Sequence, residues 1–570
     1  MTQCIDLSGK RVLLLGSNER AGLSVCRSLG RRGAVVEIAA LDPVRQPAEL
    51  SRYCHRRVYL GAPVTDPEGV RDRLTAELDN TAYDAIFPIT DIACELIYGD
   101  YAALAARTII VGPTPEAYAQ AVDKARAAEL AQAVGLHAPQ SILLRFGDDL
   151  SPAYTLLQEG PIYAKPVRSC QRVAGFIHTF DVKKCTAPVQ LERKLAEDLP
   201  RGPVMVQRPA EGHGVGLNLL ADRGKLLAVS MNRRLHEPPD GGGSSFRCNV
   251  PVPDAAVETA QNIASRLGWS GLMMIELKEN AGQLTIMEMN CRPWGSIETA
   301  MRAGVDFPAL AVAVALGLPL SPSLTLSEQV IRSDRSARVR NLKNDLRWVI
   351  GKRRNWLSQP SPLVDWLGAL PRAALGREHL DIEQGDDIIP ALGQLNPVFA
   401  RVWRRGHLAW RIAAERLRYR HRHRTLDRTQ PVLFLCQGNI NRSAVAEALF
   451  RQAGFEQVSS GGMLPLQGRA ISPAAARFLC DQGLDSTGHR SRNLQSFTAL
   501  LAEGARVVVF DFRTLADIMI ARPDLRSQVF LFDDLAHTAS GELRDPHGAQ
   551  EAFYRHCFER IAATLRDQTG

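Results

Sequence analysis

The chain has 570 residues, of which 45% are hydrophobic and 23% are charged, and it carries a formal net charge of +8. This length predicts three or four domains with substantial hydrophobic cores. No apolar run approaches the ~18 residues of a membrane-spanning helix, and the N-terminus lacks the layout of a signal peptide, so we expect a cytoplasmic protein. The eleven cysteines form no C-x-x-C pair, which argues against a disulfide framework and against structural zinc. The net charge is modest for this length, and no specific nucleic-acid partner is expected.

Residues 1–115 alternate short apolar runs with helical patterns. The run RVLLLG precedes a helical stretch and a second apolar run, AVVEIAA, which predicts a β-α-β unit. The turn after the first run does not spell G-x-G-x-x-G, so no dinucleotide site is predicted. Further strands at residues 85–90 and 108–112 complete an open α/β layer, and Asp91 follows the first of them at the edge where such layers bind ligands.

Two lysines follow in settings that predict different environments. The pattern AVDKARAAELAQAVG predicts a helix with Lys124 near its start, and PIYAKP predicts a strand. Lys165 lies among the apolar residues of that strand, where an ammonium group needs an anionic partner to offset its desolvation. A surface position is the alternative interpretation for both lysines.

Residues 275–292, IELKENAGQLTIMEMNCR, predict two strands joined by a tight turn, because the letters N-A-G supply turn residues. The period of two places Glu288 and Asn290 on one face of the second strand, and pairing brings Glu276 to the same face. Such a set of oxygen ligands suits Mg2+, with Mn2+ as an alternative, and would normally hold nucleotide phosphates. The alternative is a hairpin with two solvated acids.

The pattern E-x-N-x-R from Glu288 to Arg292, with an acid about a dozen residues upstream, resembles the metal-binding end of the ATP-grasp ligases. The resemblance extends over roughly the first 325 residues. It implies an α/β pre-ATP-grasp domain over 1–115 and a two-lobed α+β ATP-grasp domain over 116–325. It also implies a reaction in which Mg-ATP activates a carboxylate as an acyl phosphate for an amine or thiol acceptor.

The same resemblance implies roles for individual residues. Those assigned to ATP are Lys124, Lys165, Gln207, Glu211 and Arg234. The two lysines match phosphate-binding positions, and the glutamine matches the hinge that contacts adenine. Glu211 substitutes for the family's ribose-binding acid, whose usual position holds valine and glycine here. Arg234 lies in RRLHEPPDGG, similar to ATP-grasp proteins of bacterial cell-surface gene clusters, and is assigned to phosphate or substrate. Arg292 would place a guanidinium beside the transferring phosphate.

Residues 326–430 carry no family motif that we recognise, and residues 331–430 contain 21 Lys and Arg against 10 Asp and Glu. Apolar residues from Phe399 to Leu417, including Trp403 and Trp410, recur at helical spacing with arginines between them, which predicts a basic amphipathic helix. This helix could pack between domains or contact an anionic membrane surface. The sequence therefore predicts a basic helical linker, in which the acidic stretch DIEQGDDIIP is interpreted as a surface loop.

At residue 431 the composition changes to PVLFLCQGNINRSAVAEALF, which predicts a buried strand, a loop and a helix. The loop runs from Cys436 to Arg442. Its backbone N–H groups and the N-terminus of the helix can hold a phosphate, while the guanidinium binds two of the phosphate oxygens. The same positive field favours the thiolate of Cys436, which would then attack phosphorus.

The stretch from residue 431 to 570 resembles the low-molecular-weight protein tyrosine phosphatases over nearly their full length. Besides CQGNINRS, the similarity includes SSGGMLPLQG, GLDSTGHRSRNL and DPHGAQEAFYRHCFERI. It implies a three-layer α/β/α domain with a parallel sheet, no cofactor, and Asp545 as the general acid. Gly438, Asn439 and Ser443 match loop residues that hold the phosphate cradle and assist the thiolate.

Two positions depart from this family. Asn441 replaces the second loop cysteine, so the disulfide that commonly protects the nucleophile cannot form. His547 stands where an aromatic residue commonly lines the phosphotyrosine slot, which leaves the substrate preference open. Arsenate reductases share this fold but need further cysteines close together, and Cys480 and Cys557 show no such pairing; this alternative stays open.

The sequence as a whole predicts a multidomain α/β protein with two activities, an ATP-grasp ligase and a cysteine-dependent phosphatase. The expected partners are ATP, a carboxylate, an amine, and a phosphotyrosine protein such as a bacterial tyrosine kinase. By analogy with cell-surface relatives, the products would serve polysaccharide assembly at the inner face of the membrane. The alternative is a scaffold that binds ATP and phosphotyrosine without turnover.

Overall fold

The structure is a computed structural model of the chain. It describes residues 5–569 except 19, 174, 238–242, 320–329, 334, 352–361, 465–466, 538 and 540, and for residues 351 and 394–407 it describes the backbone alone. The chain separates into two compact units, Met1–Leu395 and Asn396–Gly570. Among the described residues, no helix has both the length and the apolar character needed to cross a bilayer.

The first unit begins with a five-stranded parallel sheet in the order β3–β2–β1–β4–β5. Its central strand, RVLLL, is buried at four of five positions, as expected for a parallel strand covered on both faces. The strands are β1 Arg11–Leu15, β2 Val35–Ala40, β3 Cys54–Tyr59, β4 Ala85–Pro88 and β5 Ile109–Ile110. The helices are α1 Ala21–Arg31, α2 Pro67–Asn80, α3 Asp91–Gly99, α4 Tyr101–Ala105 and α5 Pro115–Ala121. The Thr90 hydroxyl caps α3, so Asp91 begins that helix beyond the carboxyl end of β4.

A small antiparallel sheet follows, in the order β10–β7–β11–β6. Its strands are β6 Ser141–Leu144, β7 Ile162–Pro166, β10 Lys183–Cys185 and β11 Val204–Gln207. A separate hairpin is formed by β8 Cys170–Val173 and β9 Phe176–Thr179, and the helices of this region are α6 Lys124–Gln132, α7 Ser151–Gln158 and α8 Pro188–Asp198. Because β7 pairs with β11, Lys165 lies opposite Met205, and Gln207 lies opposite Tyr163. The predicted phosphate and adenine contacts are therefore neighbours on this sheet.

An eight-stranded sheet carries the predicted metal residues. Seven strands follow the order β16–β15–β12–β13–β14–β18–β19, and β17 pairs with β13. The strands are β12 His213–Asp222, β13 Lys225–His236, β14 Phe246–Val250, β15 Gly271–Asn280, β16 Gln283–Asn290, β17 Ile331–Arg332, β18 Arg338–Arg340 and β19 His379–Leu380, with helices α9 Asp254–Leu267, α10 Ile297–Arg302 and α11 Phe307–Ala315. The hairpin predicted from the sequence is β15–β16. Ala281 and Gly282 join its strands with φ values of 49° and 83°, as a type I′ turn requires.

Residues 331–395 differ from the predicted helical linker. They supply β17–β19 to the eight-stranded sheet, together with α12 Leu342–Gly351, α13 Pro362–Leu367 and α14 Ala369–Ala374. Arg340 is buried and forms an ion pair with Glu378. The acidic stretch predicted as a surface loop holds Asp387, which pairs with Arg27 of α1 at 2.9 Å where both side chains are fully buried. Because these charges neutralise one another, the region folds into the first unit instead of remaining solvated.

The second unit contains a four-stranded parallel sheet in the order β21–β20–β22–β23, which confirms the predicted C-terminal parallel sheet. Its strands are β20 Val432–Cys436, β21 Val458–Gly462, β22 Arg506–Val509 and β23 Val529–Leu531. Its helices are α16 Arg442–Gln452, α17 Pro473–Asp481, α18 Thr498–Ala502, α19 Phe512–Ala521 and α20 Glu551–Thr569.

The helix α15 spans Ile389–Arg418 and includes the predicted amphipathic segment. The side chains of Phe399 and Trp403 lie outside the described residues. Farther along the same helix, Trp410 is 60% exposed and Leu417 is 78% exposed. Two of the predicted apolar positions therefore face solvent at the C-terminal end of this helix.

Candidate active sites

A cavity of about 670 Å³ in the first unit collects most of the residues predicted to handle ATP. Its lining includes Lys165, Gln207, Arg234, Glu276, Glu288, Asn290 and Arg292. The small sheet supplies these residues from β7 and β11 and the eight-stranded sheet from β13, β15 and β16, except Arg292, which follows the end of β16. A concave site of this volume is the usual size for a nucleotide or another small ligand.

The predicted metal ligands lie together in this cavity. Glu276 and Glu288 are directly opposite each other in the β15–β16 pair, and Asn290 lies two residues farther along the same face. Burial raises the pKa of Glu276, Arg234 opposes that increase, and the neighbouring Glu288 carboxylate adds to it. Two crowded carboxylates of this kind fit a divalent cation, because the cation would offset their mutual repulsion.

The candidate metal site has few protein ligands. Among the described residues, no group of three or more His, Cys, Asp and Glu side chains is arranged to hold a metal ion. Two carboxylates and one amide therefore form the candidate site. Mg2+ commonly binds through only one or two carboxylates and completes its octahedron with water and phosphate oxygens. The residues present consequently fit Mg2+ or Mn2+ that is shared with a nucleotide.

Both predicted lysines are buried, each with only 5% of its surface exposed, which removes the surface interpretation. The Lys165 ammonium donates to the Met287 carbonyl at 3.3 Å, and burial lowers the pKa of Lys165 to about 8, although Glu288 opposes the shift. Lys124 lies on the other side of Glu288. It donates to Ser169 Oγ at 2.7 Å and approaches Glu288 Oε2 at 3.6 Å, in a smaller cavity beside the first.

Arg292 forms a two-pronged ion pair that the sequence did not indicate. Its Nε and Nη2 atoms each donate to the Asp91 carboxylate at 2.8 Å. Burial would raise the pKa of Asp91, but the charge and hydrogen bonds of Arg292, together with the charge of Lys124, hold that pKa below its usual value. Asp91, which we expected at a ligand position, therefore fixes the guanidinium at the edge of the cavity.

One predicted ATP contact lies in neither of these two cavities. Glu211 is exposed in the turn between β11 and β12, and it does not line either of these cavities. The backbone changes direction at the next residue, Gly212, whose φ is 104°, so the acid faces solvent. The assignment of Glu211 to ribose is not supported by this geometry.

Sequence reasoning missed several residues of the same cavity. Arg20, from the turn before α1, lines it and donates from Nη1 to the Ser244 carbonyl at 2.7 Å. Asn344 of α12 and Trp294 also line it. The glycine turn near Arg20 is a detectable signal, because such turns allow close approach to a ligand, although it does not match a dinucleotide motif.

The phosphate loop of the second unit lies between β20 and α16. Cys436 is the last residue of the strand, and its Sγ atom accepts from the Asn439 backbone N–H at 3.3 Å and lies 3.1 Å from Ser443 Oγ. Asn439 adopts a left-handed conformation with φ 52°, which turns the loop around the sulfur. The loop begins and ends on regular elements, so its shape is fixed at both ends.

Buried amide and hydroxyl groups hold this loop. The Asn439 amide donates to Ser443 Oγ at 3.0 Å and to Ser460 Oγ at 2.8 Å, and its side-chain oxygen accepts from the Arg492 backbone at 2.8 Å. His489 hydrogen-bonds to the Asn439 carbonyl at 2.8 Å. These bonds satisfy the side chain that bends the loop.

Arg442 is fully buried at the start of α16 and is arranged to bind an anion. Its Nη1 atom donates to Asp511 and to the Leu543 carbonyl, the latter at 2.7 Å. Its Nη2 atom lies 3.2 Å from the Asp545 carboxylate, yet neither Nη2 nor Nε has a hydrogen bond within the described residues. Burial would lower the pKa of Arg442, but the charges of Cys436, Asp511 and Asp545 raise it. Two buried donors are thus available to phosphate oxygens.

Comparisons with known proteins agree with both sites. Residues 431–568 match the family model described as low molecular weight phosphotyrosine protein phosphatase. Residues 201–344 match the family model described as ATP-grasp in the biosynthetic pathway with Ter operon. Each match covers less than half of the chain, and the two matched regions do not overlap. The matches confirm the two resemblances identified in the sequence, and both are to families of enzymes.

Individual proteins and solved structures that are similar to parts of the chain are also found. A protein of Ralstonia nicotianae described as a probable low molecular weight protein-tyrosine-phosphatase EpsP is 28% identical over 131 residues, which are 23% of this chain and 87% of the relative. Among solved structures, a biotin carboxylase from Campylobacter jejuni matches with a TM-score of 0.46 and 15% identity, over 57% of this chain and 74% of that chain. An L-amino acid ligase from Bacillus licheniformis matches with a TM-score of 0.44 and 18% identity, over 58% of this chain and 79% of that chain.

The structure shows the surroundings of the two residues that depart from the phosphatase family and of the two further cysteines. Asn441 lies within the nucleophile's loop, where its side-chain oxygen accepts from Ser472 Oγ at 2.5 Å and so links the loop to the start of α17. His547 is exposed, and its backbone N–H donates to Asp545 Oδ1 at 3.2 Å. Cys480 is exposed, whereas Cys557 is buried, and burial raises the pKa of the Cys557 thiol to about 12.

Proposed function

We propose that residues 431–570 hydrolyse phosphomonoesters, with phosphotyrosine in a protein as the substrate, through a cysteinyl-phosphate. The observation that carries this proposal is the Arg442 guanidinium, which is buried with two donors unused beside the Cys436 loop and the Asp545 carboxylate. An uncompensated buried donor of this kind is costly unless it serves a ligand. A phosphoryl group with several acceptor oxygens matches it.

The reaction proceeds in two displacements. The Cys436 thiolate attacks phosphorus, the bond from phosphorus to the ester oxygen breaks, and Asp545 gives its proton to the leaving oxygen. Asp545 then takes a proton from water, whose oxygen attacks phosphorus and displaces the thiolate, which releases inorganic phosphate. Arg442 and backbone N–H groups of the loop, such as that of Gly438, bind the equatorial oxygens throughout, and the Asn439 backbone N–H and Ser443 hydrogen-bond to the thiolate.

Hydrolysis of para-nitrophenyl phosphate by the full chain and its Cys436→Ser variant tests this proposal. We expect the variant to lose all activity above background, because the serine hydroxyl is a far weaker nucleophile than a thiolate. Cys480→Ser is the matched control, since that thiol is exposed on α17 and should be dispensable. Equal, slow hydrolysis by wild type and Cys436→Ser would favour the alternative of a phosphotyrosine-binding scaffold.

We propose that residues 1–325, comprising an α/β domain over 1–115 and an ATP-grasp domain over 116–325, form a ligase that joins a carboxylate to an amine or thiol at the expense of ATP. The observation that supports it is the single cavity in which Lys165, Arg234 and Arg292 surround the facing carboxylates Glu276 and Glu288. Three basic side chains in one cavity attract a triphosphate, and two carboxylates that face each other attract a divalent cation.

The chain's own residues would divide the work as follows. Gln207 contacts adenine at one end of the cavity, and Lys124 and Lys165 hold phosphate oxygens. Arg292, fixed by Asp91, faces the γ-phosphoryl group as it moves to the substrate carboxylate to form an acyl phosphate, which the amine then attacks. Mg2+ or Mn2+, when bound by Glu276, Glu288 and Asn290, would supply neutralisation of the phosphate charge.

Release of ADP and phosphate from Mg-ATP, measured with pools of carboxylates and amines, tests the ligase. We expect release to require both pools, and Glu288→Gln to abolish it. Glu279→Gln is the control, because Glu279 lies on the same hairpin but forms an ion pair with Arg233 outside the cavity. Nucleotide binding with no turnover under every pool would favour an ATP-binding regulatory protein.

We also propose a peripheral membrane contact through residues 399–417. The exposed Trp410 and Leu417 on the basic helix α15 support this proposal, because an aromatic ring and an aliphatic side chain beside arginines suit an anionic lipid surface. Sedimentation with anionic liposomes should fall in Trp410→Ala. Sedimentation that is equal for wild type and variant would count against the contact.

A further inference from the structure

A guanidinium crosses a whole strand to bind one of the candidate metal carboxylates. Arg234 lies on β13 and Glu276 lies on β15, and the strand β12 runs between them in the sheet. The Arg234 Nη2 atom nevertheless lies 2.7 Å from Glu276 Oε1. Neighbouring strands are about 4.8 Å apart, so this contact requires the arginine to extend over β12.

A glycine on β12 makes that crossing sterically feasible. A Cβ atom at Gly214 would lie 2.5 Å from Arg234 Cδ, and it would lie closer still to Glu237 Oε1. Gly214 has no positive φ, so backbone conformation does not explain why glycine occurs there. The glycine instead leaves the face of β12 open beneath the arginine.

The contact has an electrostatic consequence for a divalent cation. Glu276 is the cross-strand partner of Glu288, so a cation bound between the two carboxylates would also lie close to the Arg234 guanidinium. Arg234 is only 14% exposed, which limits the screening of this repulsion by water. Arginine and cation therefore compete for the same carboxylate unless a further anion, such as a triphosphate, joins them.

We propose that Arg234 couples metal binding to nucleotide binding, because it competes with a cation that arrives alone and binds the phosphates of a nucleotide that arrives with the cation. This inference rests on the proposed ATP site and extends it. The coupling is reciprocal, so the metal strengthens nucleotide binding by the same factor as the nucleotide strengthens metal binding. The result is a site that accepts the metal–nucleotide complex in preference to either component.

Binding of Mn2+ to the full chain, measured from the free Mn2+ electron-paramagnetic-resonance signal with and without ADP, tests the coupling. In Arg234→Gln we expect Mn2+ alone to bind at least about fivefold more tightly, and the strengthening by ADP to shrink by a similar factor. Gly214→Ala should act in the same direction while retaining the guanidinium, because its methyl group displaces the arginine from Glu276.

Arg233→Gln is the matched control. Arg233 is the preceding residue of β13 and pairs with Glu279 of β15 at 2.6 Å, so the variant removes the same kind of ion pair without touching Glu276. Its Mn2+ affinity should equal that of the wild type. A variant that loses its fold would bind Mn2+ more weakly, which is opposite to the expected gain.

The outcomes separate the inference from the function on which it rests. If Mn2+ alone binds equally to wild type, Arg234→Gln and Gly214→Ala, or if Arg233→Gln shows the same gain, the coupling role of Arg234 is overturned. If the wild type binds neither Mn2+ with ADP nor ADP itself, the proposed ATP site fails and the inference fails with it.

Discussion

The two phosphate-handling sites of this chain are built in opposite ways. In the phosphatase domain, nucleophile and anion-binding guanidinium lie on one loop between Cys436 and Arg442, closed by hydrogen bonds among its own residues. The ATP cavity draws its lining from positions as far apart as Asn18 and Asn344. The first site depends on local geometry, and the second depends on how several distant segments pack.

Because of this difference, we expect the two sites to be sensitive to substitutions at different positions. Substitutions that affect the phosphatase should cluster in or beside its loop. The proposed ATP cavity should also respond to changes far from it, because α12, which supplies Asn344 to its lining, and the acidic stretch near β19 are held in the first unit by buried ion pairs. Three predictions examine this contrast, in order of decreasing effect.

The largest effect is expected at Asp545, the proposed acid that lies outside the phosphatase loop. Asp545→Asn should lower kcat for phenyl phosphate by about 10²- to 10⁴-fold, the usual contribution of a general acid. The loss should be much smaller for para-nitrophenyl phosphate, because its leaving group departs without a proton. Steady-state kinetics with the two esters measures the difference.

Asp485→Asn provides the control for this substitution. Asp485 is exposed and accepts hydrogen bonds from Thr487 in its own turn, so kcat should not change with either ester. An equal loss for both esters in Asp545→Asn would mean that the carboxylate orients Arg442, which it approaches at 3.2 Å, instead of donating a proton.

The same contrast explains what the sequence could predict. Cys436, Arg442 and Asn439 occupy a short loop with a strand before it and a helix after it, so consecutive letters specify the site. The proximity of Glu276 and Glu288 could also be predicted from the sequence, because both lie in one hairpin whose side chains alternate with a period of two. In both cases the contacts that matter are local in the chain.

Other features could not be predicted because they depend on long-range contacts. Arg20 contacts Ser244, which is 224 positions away, and no local pattern indicates such a partner. The strands β17 and β19 have only two residues each, too few to show alternation. The acidic stretch DIEQGDDIIP looked solvated because its arginine partners Arg27 and Arg247 lie far away in the sequence.

The second prediction concerns that acidic stretch. Asp381 is buried and binds both terminal nitrogens of Arg247, with Nη1 at 3.0 Å. Asp381→Asn leaves the buried guanidinium without its counter-charge, which should lower the free energy of unfolding of the first unit by about 3–5 kcal/mol. Urea unfolding followed by tryptophan fluorescence, with phosphatase activity recorded in parallel, measures the effect.

Asp386→Asn is the matched substitution at the surface. Asp386 pairs with Arg31 at 2.8 Å, but its side chain is 45% exposed, so the loss should stay below ~1 kcal/mol. Similar losses for the two variants would show that the buried pair does not hold the first unit together. A parallel fall in phosphatase activity would contradict the separation of the two sites.

The smallest effect is a pH dependence at Lys165. Burial lowers the pKa of Lys165 from 10.5 to about 8, so above pH 8 the nucleotide-free protein loses the ammonium that the proposed site offers to phosphate. Nucleotide binding must then take up a proton, and affinity for Mg-ADP should fall by up to about tenfold per pH unit above 8.

The stability of the protein should change with pH in the opposite direction to its affinity for Mg-ADP. Between pH 8 and 10.5 the unfolded chain holds more protons at this lysine than the folded chain, so the contribution of Lys165 to the free energy of unfolding rises with pH. Calorimetric titrations with Mg-ADP from pH 7 to pH 9.5 measure the affinity. The wild type should bind more weakly as the pH rises, whereas the affinity of Lys165→Met should not depend on pH. A pH dependence that persists in Lys165→Met would assign the titration to another group.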